Sequence, residues 1–299
     1  MLTDCLTRRS FLAGVATTAM AATVPATAQS PEKRPTFELC AFEKFIQNLS
    51  YDDLADTLAE LGFQGVEATV RRGGRIEAAD AEEKLPRLHE ALAKRGLAIT
   101  VMTTDLLRAD DPVSQKVIST AASLGVKRYR TGFFRYHPAQ PILEQLDQWK
   151  PQVKELAAYN REQGIQGLYQ NHSGANYVGG TVWDVHYLIR DLDPQDFGIA
   201  FDIRHATIEA NLSWSVLYRL VKSHIGALYV KDFVRQGRKV AHAPLGSGVD
   251  PAFFKQFVKD RLDVPVSLHV EYLPKAGIEA NVEALRSDLQ TLKKWLQMD

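Results

Sequence analysis

The stretch FGIAFDIRH, residues 197–205, joins a short and almost wholly apolar run to charged and imidazole side chains. A run of this length, with turn residues before it, predicts a strand that is buried on both faces, as in a parallel sheet. Asp202 ends the run, and a buried carboxylate needs an ionic or hydrogen-bonding partner. The stretch therefore predicts a parallel strand with a polar site at its carboxyl end.

The same alternation of apolar strand and amphipathic helix repeats along the chain. Further strands are predicted within residues 36–42, 65–70, 98–104, 127–134, 166–172, 225–233 and 266–273. Helices are predicted over residues 50–62, 81–95, 112–125, 140–163, 181–192 and 213–223, from Asp250, and through the leucines near the carboxyl terminus. Ser50 with Asp53 forms a capping-box pattern, Gly62 ends that helix, and Pro151 predicts a kink or a second helix.

Eight strand–helix pairs predict an α/β fold, the (β/α)8 TIM barrel, as a single domain over residues 36–299. A doubly wound open sheet is the alternative, but the sequence has no G-x-G-x-x-G turn to support it. In a TIM barrel the chemistry takes place at the carboxyl ends of the strands and in the loops that follow them. The polar residues at those positions are therefore the candidate site.

The first 28 residues predict a cleavable export signal. Arg8 and Arg9 precede an Ala-rich apolar run that ends in Ala26-Thr27-Ala28, a small-residue cleavage pattern. The arginine pair followed by Ser-Phe-Leu resembles the twin-arginine (Tat) signal of bacteria. We expect cleavage near Ala28, a linker over residues 29–35, and a protein that is periplasmic or otherwise exported. The Tat route carries folded proteins, which is compatible with loading of a metal before export.

Composition limits the partners that the chain is expected to have. The 36 basic and 36 acidic residues balance, so nothing suggests a nucleic-acid partner, which would require a basic face. No internal stretch is apolar for long enough to span a bilayer, so no membrane contact is expected after signal cleavage. Cys5 lies in the signal, and Cys40 alone remains, as a small buried side chain. The sequence leaves open whether the protein is an oligomer.

Polar side chains mark the ends of six predicted strands. They are Glu67, Arg130, Gln170, His172, Asp202, His205, Tyr229, Lys231, Asp232, His269 and Glu271. Since side chains alternate along a strand, residues two apart share a face. This is expected to place Gln170 with His172, Tyr229 with Lys231, and His269 with Glu271. Asp202 and Glu271 follow apolar runs and are expected to be functional, whereas Tyr229 and His269 more often pack in the core.

The segments GVEATV, YQNHSG, FDIRHA, YVKDF, PLGSGVD and HVEY, in this order, resemble the xylose isomerase-like TIM barrels, the sugar phosphate isomerase/epimerase superfamily. The resemblance covers nearly all of the chain after the signal. It implies one divalent ion (Mn, Mg or Co) at the mouth of the barrel. The implied ligands are a Glu after strand five, an Asp after strand six, a His on strand seven and a Glu on strand eight. The two glutamates would also shuttle a proton beside a ketose carbonyl.

Two of these four ligand positions depart from the family pattern. Asp202 and Glu271 match it, but Gln170 stands in place of the first glutamate and Tyr229 in place of the histidine. An amide oxygen can bind a hard cation but brings no charge, and it cannot act as a base. The predicted metal ligands are Gln170, Asp202 and Glu271, with His172 as a further candidate and Zn as a further metal.

We expect an exported sugar isomerase/epimerase-like enzyme that moves a proton next to a sugar carbonyl of a small carbohydrate, with assistance from the metal. The residues expected to be catalytic are Glu271, His172 and Lys231; those expected to bind substrate are Glu67, Arg130, His205 and Tyr229. The alternatives are a lyase that acts on an oxidised (keto) glycoside, and a sugar-binding barrel without catalysis. The loop PLGSGVD could cradle a phosphate, although a tight turn is favoured.

Replacing Arg8 and Arg9 together with lysine is expected to leave the protein in the cytoplasm as its full-length precursor, because the Tat route recognises the arginine pair. Cell fractionation with immunoblotting of a bacterial host measures this. The control Arg34→Lys lies after the predicted cleavage point and is expected to be exported normally. A processed double variant in the periplasm would contradict the assignment.

Overall fold

The computed structural model describes residues 37–237 and 239–298, and the predicted signal and linker lie outside this part of the chain. Eight parallel strands close into a barrel in the order β1-β10-β7-β6-β5-β4-β3-β2. The strands are β1 Leu39–Phe42, β2 Gly65–Val70, β3 Ala98–Thr104, β4 Arg128–Arg130, β5 Gln166–Gln170, β6 Phe197–Asp202, β7 Ile225–Val230 and β10 Val266–Leu268. A separate antiparallel hairpin consists of β8 Asp232–Gln236 and β9 Lys239–Ala243. The predicted TIM barrel is confirmed.

Helices connect the strands around the outside of the barrel. They are α1 Tyr51–Leu61, α2 Ala81–Ala93, α3 Pro112–Ser123, α4 Ile142–Gln163, α5 Trp183–Ile189, α6 Ile203–Ala210, α7 Trp214–Val221, α8 Ala252–Asp260 and α9 Ile278–Trp295. The predicted cap of α1 is confirmed, because the Ser50 hydroxyl accepts the Asp53 N–H at 3.1 Å. Gly62 ends α1 with a φ of 85°, in the left-handed region that glycine adopts freely.

The structure differs from the sequence prediction at three elements. Of the two alternatives predicted for Pro151, a second helix is wrong, since α4 runs as one helix over Ile142–Gln163. Helix α6 begins directly after β6, because Asp202 accepts the His205 N–H at 3.1 Å and caps it; the sequence predicted the next helix only from residue 213. Residues 234–243, for which the sequence predicted neither a strand nor a helix, contribute to the β8–β9 hairpin.

Asp232 organises the loop that follows the hairpin. Its carboxylate is 1% exposed and accepts the N–H groups of Gly246, Ser247, Gly248 and Val249 at 2.8 to 2.9 Å. Gly248 is required here, since a Cβ at that position would lie 2.3 Å from a backbone oxygen. The N–H groups that could have cradled a phosphate are thus already used by the protein's own anion, and the turn interpretation of PLGSGVD holds.

Two further sequence expectations concern burial. Cys40 is completely buried in β1, in agreement with its interpretation as a small core side chain. Among the described residues, none of the helices has both the length and the apolar character needed to cross a membrane.

Asp232→Ala is expected to lower the free energy of unfolding by about 3 kcal/mol, because several N–H groups lose a charged acceptor, the buried Val249 N–H among them. Urea denaturation measures this. Asp191→Ala is the matched control: its carboxylate pairs with Lys150 at 2.7 Å in an exposed position, and a much smaller loss of stability is expected because solvent screens the pair. Equal losses in the two variants would contradict the role given to Asp232.

Candidate active site

A cavity of about 90 Å³ opens at the carboxyl ends of the barrel strands. Charged and aromatic side chains dominate its lining. The lining residues are Phe42, Lys44, Glu67, Arg71, Thr103, Arg130, Phe133, Gln170, His172, Lys231, His269 and Glu271. Most of the polar strand ends that the sequence marked therefore meet here.

The Lys231 ammonium lies at the centre of this cluster. Its Nζ is 2.9 Å from Glu271 Oε1 and 3.1 Å from Asp202 Oδ2, and the side chain is 6% exposed. Burial alone would lower the pKa of Lys231, but the charges of Asp202 and Glu271 more than offset this and raise it. Lys231 is therefore a permanent cation that joins the end of β6 to the end of β10.

Gln170 acts as a hydrogen-bond donor in the same cluster. Its side-chain Nε2 donates to Asp202 Oδ2 at 2.8 Å. Burial raises the pKa of the Asp202 carboxyl, yet His205 and the Lys231 ammonium hold it well below its ordinary value. A glutamate at position 170 would bring a second negative charge to the same oxygen. The amide is thus the residue type that suits an ionised Asp202 already paired with a lysine.

A second ion pair lies deeper in the cavity. The completely buried Glu67 accepts hydrogen bonds from Thr103 and Ser267 and lies 2.8 Å from His269 Nε2. Burial disfavours the imidazolium, but the Glu67 charge, with help from Glu271, raises the pKa of His269 above its ordinary value. The other ring nitrogen, Nδ1, is 3.5 Å from Glu271. Glu67, His269 and Glu271 therefore form a chain of alternating charges.

Glu271 is the carboxylate through which the two ion pairs meet. Burial raises its pKa, but Lys231, His269 and Lys44 together hold it well below the usual range. Lys44 approaches Oε2 at 3.5 Å from the loop after β1. Glu271 is thus ionised, half-buried and in contact with the cavity, and this leaves it able to accept a proton from a bound molecule.

His172 faces the cavity from the end of β5. Its Nδ1 lies 2.8 Å from the Ser173 carbonyl, which only accepts, so Nδ1 carries the proton and Nε2 is the free acceptor. Burial and then Lys231 lower its pKa, so the ring is neutral near pH 7. The His205 ring packs against it with centroids 4.0 Å apart. His172 is therefore a neutral imidazole that can take or return a proton.

The structure places the predicted site residues at three depths. Glu67, Arg130, Gln170, His172, Lys231 and Glu271 line the cavity. Asp202 and His205 lie behind Lys231, 0% and 3% exposed, so His205 positions its neighbours and does not face a substrate. Tyr229 requires a correction: it is 0% exposed in the barrel interior with Val101 and Leu168, and cannot contact a substrate.

Sequence reasoning missed several lining residues. His269 was expected to pack in the core, although its position two residues before Glu271 already put it on the same face of the strand. Lys44 and Arg71 come from the loops after β1 and β2, where no pattern marked them. Thr103 and Ser267 lie within strands and hold Glu67 in place.

The predicted metal ligands come together, but they do not suit a divalent ion in this arrangement. Lys231 already bridges Asp202 and Glu271, and Gln170 presents an N–H, not an oxygen, to Asp202. Among residues 37–237 and 239–298, no three His, Cys, Asp or Glu side chains are grouped so that they could hold a metal. An ammonium and a divalent cation cannot share the same two carboxylate oxygens, so Lys231 takes the position that a metal ion would need.

Wild-type protein is expected to show no change in melting temperature with millimolar Mn²⁺, because Lys231 occupies the position between the carboxylates. Gln170→Glu combined with Lys231→Ala leaves three carboxylates there, and we expect this variant to gain about 2.7 kcal/mol at 100 times its Kd for Mn²⁺. Thermal shift and metal analysis measure both. The control Lys44→Ala, which removes the outer lysine, should remain insensitive to Mn²⁺. Stoichiometric Mn²⁺ in the wild type would overturn the interpretation.

Comparisons with known proteins agree with this fold. Residues 55–295 match the profile of the family described as Xylose isomerase-like TIM barrel. No curated protein sequence matches the chain.

Solved structures that resemble the chain include a D-psicose 3-epimerase with D-fructose (TM-score 0.64, 13% identity, covering 87% of this chain and 99% of that one). A 3-keto-D-glucoside 4-epimerase from E. coli gives TM-score 0.66 at 15% identity, over 88% and 100%. A probable 3-DHS dehydratase from Bacillus anthracis gives 0.62 at 16%, over 83% and 98%. The chain belongs to the family of xylose isomerase-like TIM barrels.

Proposed function

We propose that this protein is an exported sugar isomerase or epimerase that moves a proton next to a carbonyl group without a divalent metal. The observation that carries the proposal is the contact between the Glu271 carboxylate and the Lys231 ammonium in the cavity, at 2.9 Å. A carboxylate beside a cation places a base next to a group that can polarise a carbonyl oxygen. The epimerases among the similar structures support the substrate class, and the predicted signal supports export.

The roles of the side chains follow from their charges. The base is Glu271, which takes the proton from the carbon next to the carbonyl. Lys231 donates a hydrogen bond to the carbonyl oxygen, where negative charge develops as the proton leaves. For an isomerase, Glu271 returns the proton to the neighbouring carbon, while His172 Nε2 takes the hydroxyl proton from one oxygen of the enediolate and gives it to the other. For an epimerase, His172 first takes a proton from water at Nε2 and then delivers it to the opposite face of the same carbon. His172 and Glu271 come from the ends of β5 and β10, with β6 and β7 between them in the barrel, so they approach the substrate from different sides.

Glu271 is a weak base in the free protein, but substrate binding would make it a stronger one. Lys231, His269 and Lys44 depress its pKa while the cavity contains no sugar. When the carbonyl oxygen takes a hydrogen bond from Lys231, Glu271 shares that cation with the substrate and becomes a stronger base. The charge that stabilises the resting carboxylate is then transferred to the developing oxyanion.

A lyase is the second candidate, and Gln170 is the observation that favours it. Elimination needs one strong base, and Gln170 cannot supply the second carboxylate that a symmetrical pair of bases would use. Glu271 would take the proton from the carbon next to the carbonyl of an oxidised glycoside. The bond from the neighbouring carbon to the leaving oxygen would break, and that oxygen would receive the proton that Glu271 has taken. The dehydratase among the similar structures agrees with this chemistry.

Exchange of substrate hydrogen with deuterated water is expected across a panel of ketoses and keto-glycosides, in the presence of EDTA. Glu271→Gln should lower the exchange rate by about 100-fold to 10,000-fold, because the base is lost while the size of the side chain is kept. NMR spectroscopy measures the exchange and also separates an isomer from an elimination product.

Glu283→Gln on the exposed face of α9 is the matched control and should leave the rate unchanged. Exchange that appears only after Mn²⁺ is added would contradict the metal-free proposal. No exchange on any sugar, with or without Mn²⁺, would contradict both enzymatic functions and favour a barrel that binds sugar without catalysis.

A further inference from the structure

Two arginines that line the cavity have no acidic partner. The lining carboxylates are already engaged, Glu67 with His269 and Glu271 with Lys231 and Lys44. Among the described residues, Arg71 and Arg130 form no ion pair with any carboxylate. The side of the cavity formed by β2 and β4 therefore has a surplus of positive charge.

Arg130 is the more deeply buried of the two. It ends β4 and is 3% exposed. Its Nη1 donates to the Thr131 carbonyl oxygen at 2.7 Å, and its guanidinium lies 4.7 Å from the centre of the Phe133 ring. Its Nε has no hydrogen-bond partner in the described part of the chain. A buried guanidinium with so few partners is costly unless an anion binds to it.

Arg71 adds a second guanidinium to the same cavity. It follows β2 directly, and its backbone N–H donates to Ile76, which fixes the start of the loop. Burial lowers the pKa of Arg130 and the nearby charge of Arg71 acts in the same direction, while Tyr229, Glu67 and Asp105 only partly oppose them. Two like charges that disfavour each other in the free protein are both stabilised when an oxyanion lies between them.

We propose that Arg71 and Arg130 bind an oxyanionic group of the substrate, a carboxylate or a phosphate, so that the substrate is an acidic sugar. The inference rests on the proposed function for the carbohydrate part of the ligand, and on the two arginines for its charge. Guanidinium groups suit both oxyanions because their planar N–H pairs match two oxygens at once. The reacting carbonyl then lies at Lys231 and the anionic group lies toward β2 and β4.

Of the two oxyanions, a carboxylate agrees better with the rest of the molecule. The loop at residues 244–250 is a poor phosphate site, since Asp232 accepts its N–H groups. An exported protein also meets few phosphorylated sugars. A keto sugar acid agrees with the occupied loop and with the predicted export.

The test is a comparison of dissociation constants for a neutral ketohexose, a ketohexonate with a terminal carboxylate, and a ketohexose phosphate, measured by calorimetry. Wild-type protein should bind the ketohexonate at least about 10-fold more tightly than the neutral sugar, as expected for one charged hydrogen bond. Arg130→Gln should remove about 10-fold to 100-fold of the affinity for the acid, while affinity for the neutral sugar changes by less than about 3-fold. Tighter binding of the phosphate than of the ketohexonate would identify the phosphate as the anion.

Three further variants separate a loss of anion binding from a loss of folding. Arg130→Lys retains the charge and should keep part of the preference for the acid. Arg71→Gln lies in a loop and tests the subsite even where Arg130→Gln does not fold. Arg72→Gln changes the exposed neighbouring arginine, which does not line the cavity, and should bind all three ligands like the wild type.

Equal affinity of the wild type for the acidic and the neutral sugar would overturn the proposal, as would a preference that neither arginine variant reduces. The measurement needs no turnover, so it is separate from the proposed function. Preference for the acid without hydrogen exchange would support the arginine subsite and contradict the proposed enzymatic function. Hydrogen exchange on neutral sugars without preference for the acid would support the enzymatic function and contradict the subsite.

Discussion

The arrangement of the cavity depends on the Lys231 ammonium between Asp202 and Glu271. Asp202 ends β6 and Glu271 lies in the segment that follows β10, and β7 lies between those strands in the barrel. Without a cation between them, two ionised carboxylates in this buried place would repel each other and one would take up a proton. Lys231 follows the intervening strand, so its side chain reaches both neighbours and holds them ionised. The other polar side chains of the rim are then arranged around a fixed positive centre.

Gln170 and Lys231 are linked by charge when they are compared with the ligand set that the family resemblance implies. Gln170 removes one negative charge from that set, and Lys231 supplies one positive charge where the divalent ion would supply two. Three carboxylates around a divalent ion have a net charge of minus one. Two carboxylates around a lysine, with an amide in the third position, have the same net charge. The amide also donates a hydrogen bond to Asp202, which a third carboxylate could not do. The net charge of the rim is thus the same in both cases, but here a side chain of the protein supplies the positive charge.

The barrel could be predicted from the sequence because each strand and helix has a local signal, such as the cap at Ser50 and the glycine that ends α1. Helix α6 could not, because its start depends on Asp202 acting as a cap while also facing Lys231. Alternation along a strand correctly paired Gln170 with His172, but it put Tyr229 with Lys231. Tyr229 lies within the strand and points into the barrel, whereas Lys231 follows the strand end and reaches the rim. The Glu67–His269 pair joins residues 202 positions apart, and no local pattern records such a contact.

The two halves of the cavity differ in how their charges are balanced, and this difference orients a substrate. On the side of β6, β7 and β10, each cation has a carboxylate partner, so a ligand there must share an existing pair, as a carbonyl oxygen does with Lys231. On the side of β2 and β4, Arg130 has no such partner and remains available to a ligand that brings its own negative charge. A neutral group would bind more favourably on the side of Lys231, and an anion more favourably on the side of Arg130. An acidic sugar would therefore have one preferred orientation in the cavity. The same positive surplus makes a divalent cation unfavourable there, which is consistent with the role proposed for Lys231.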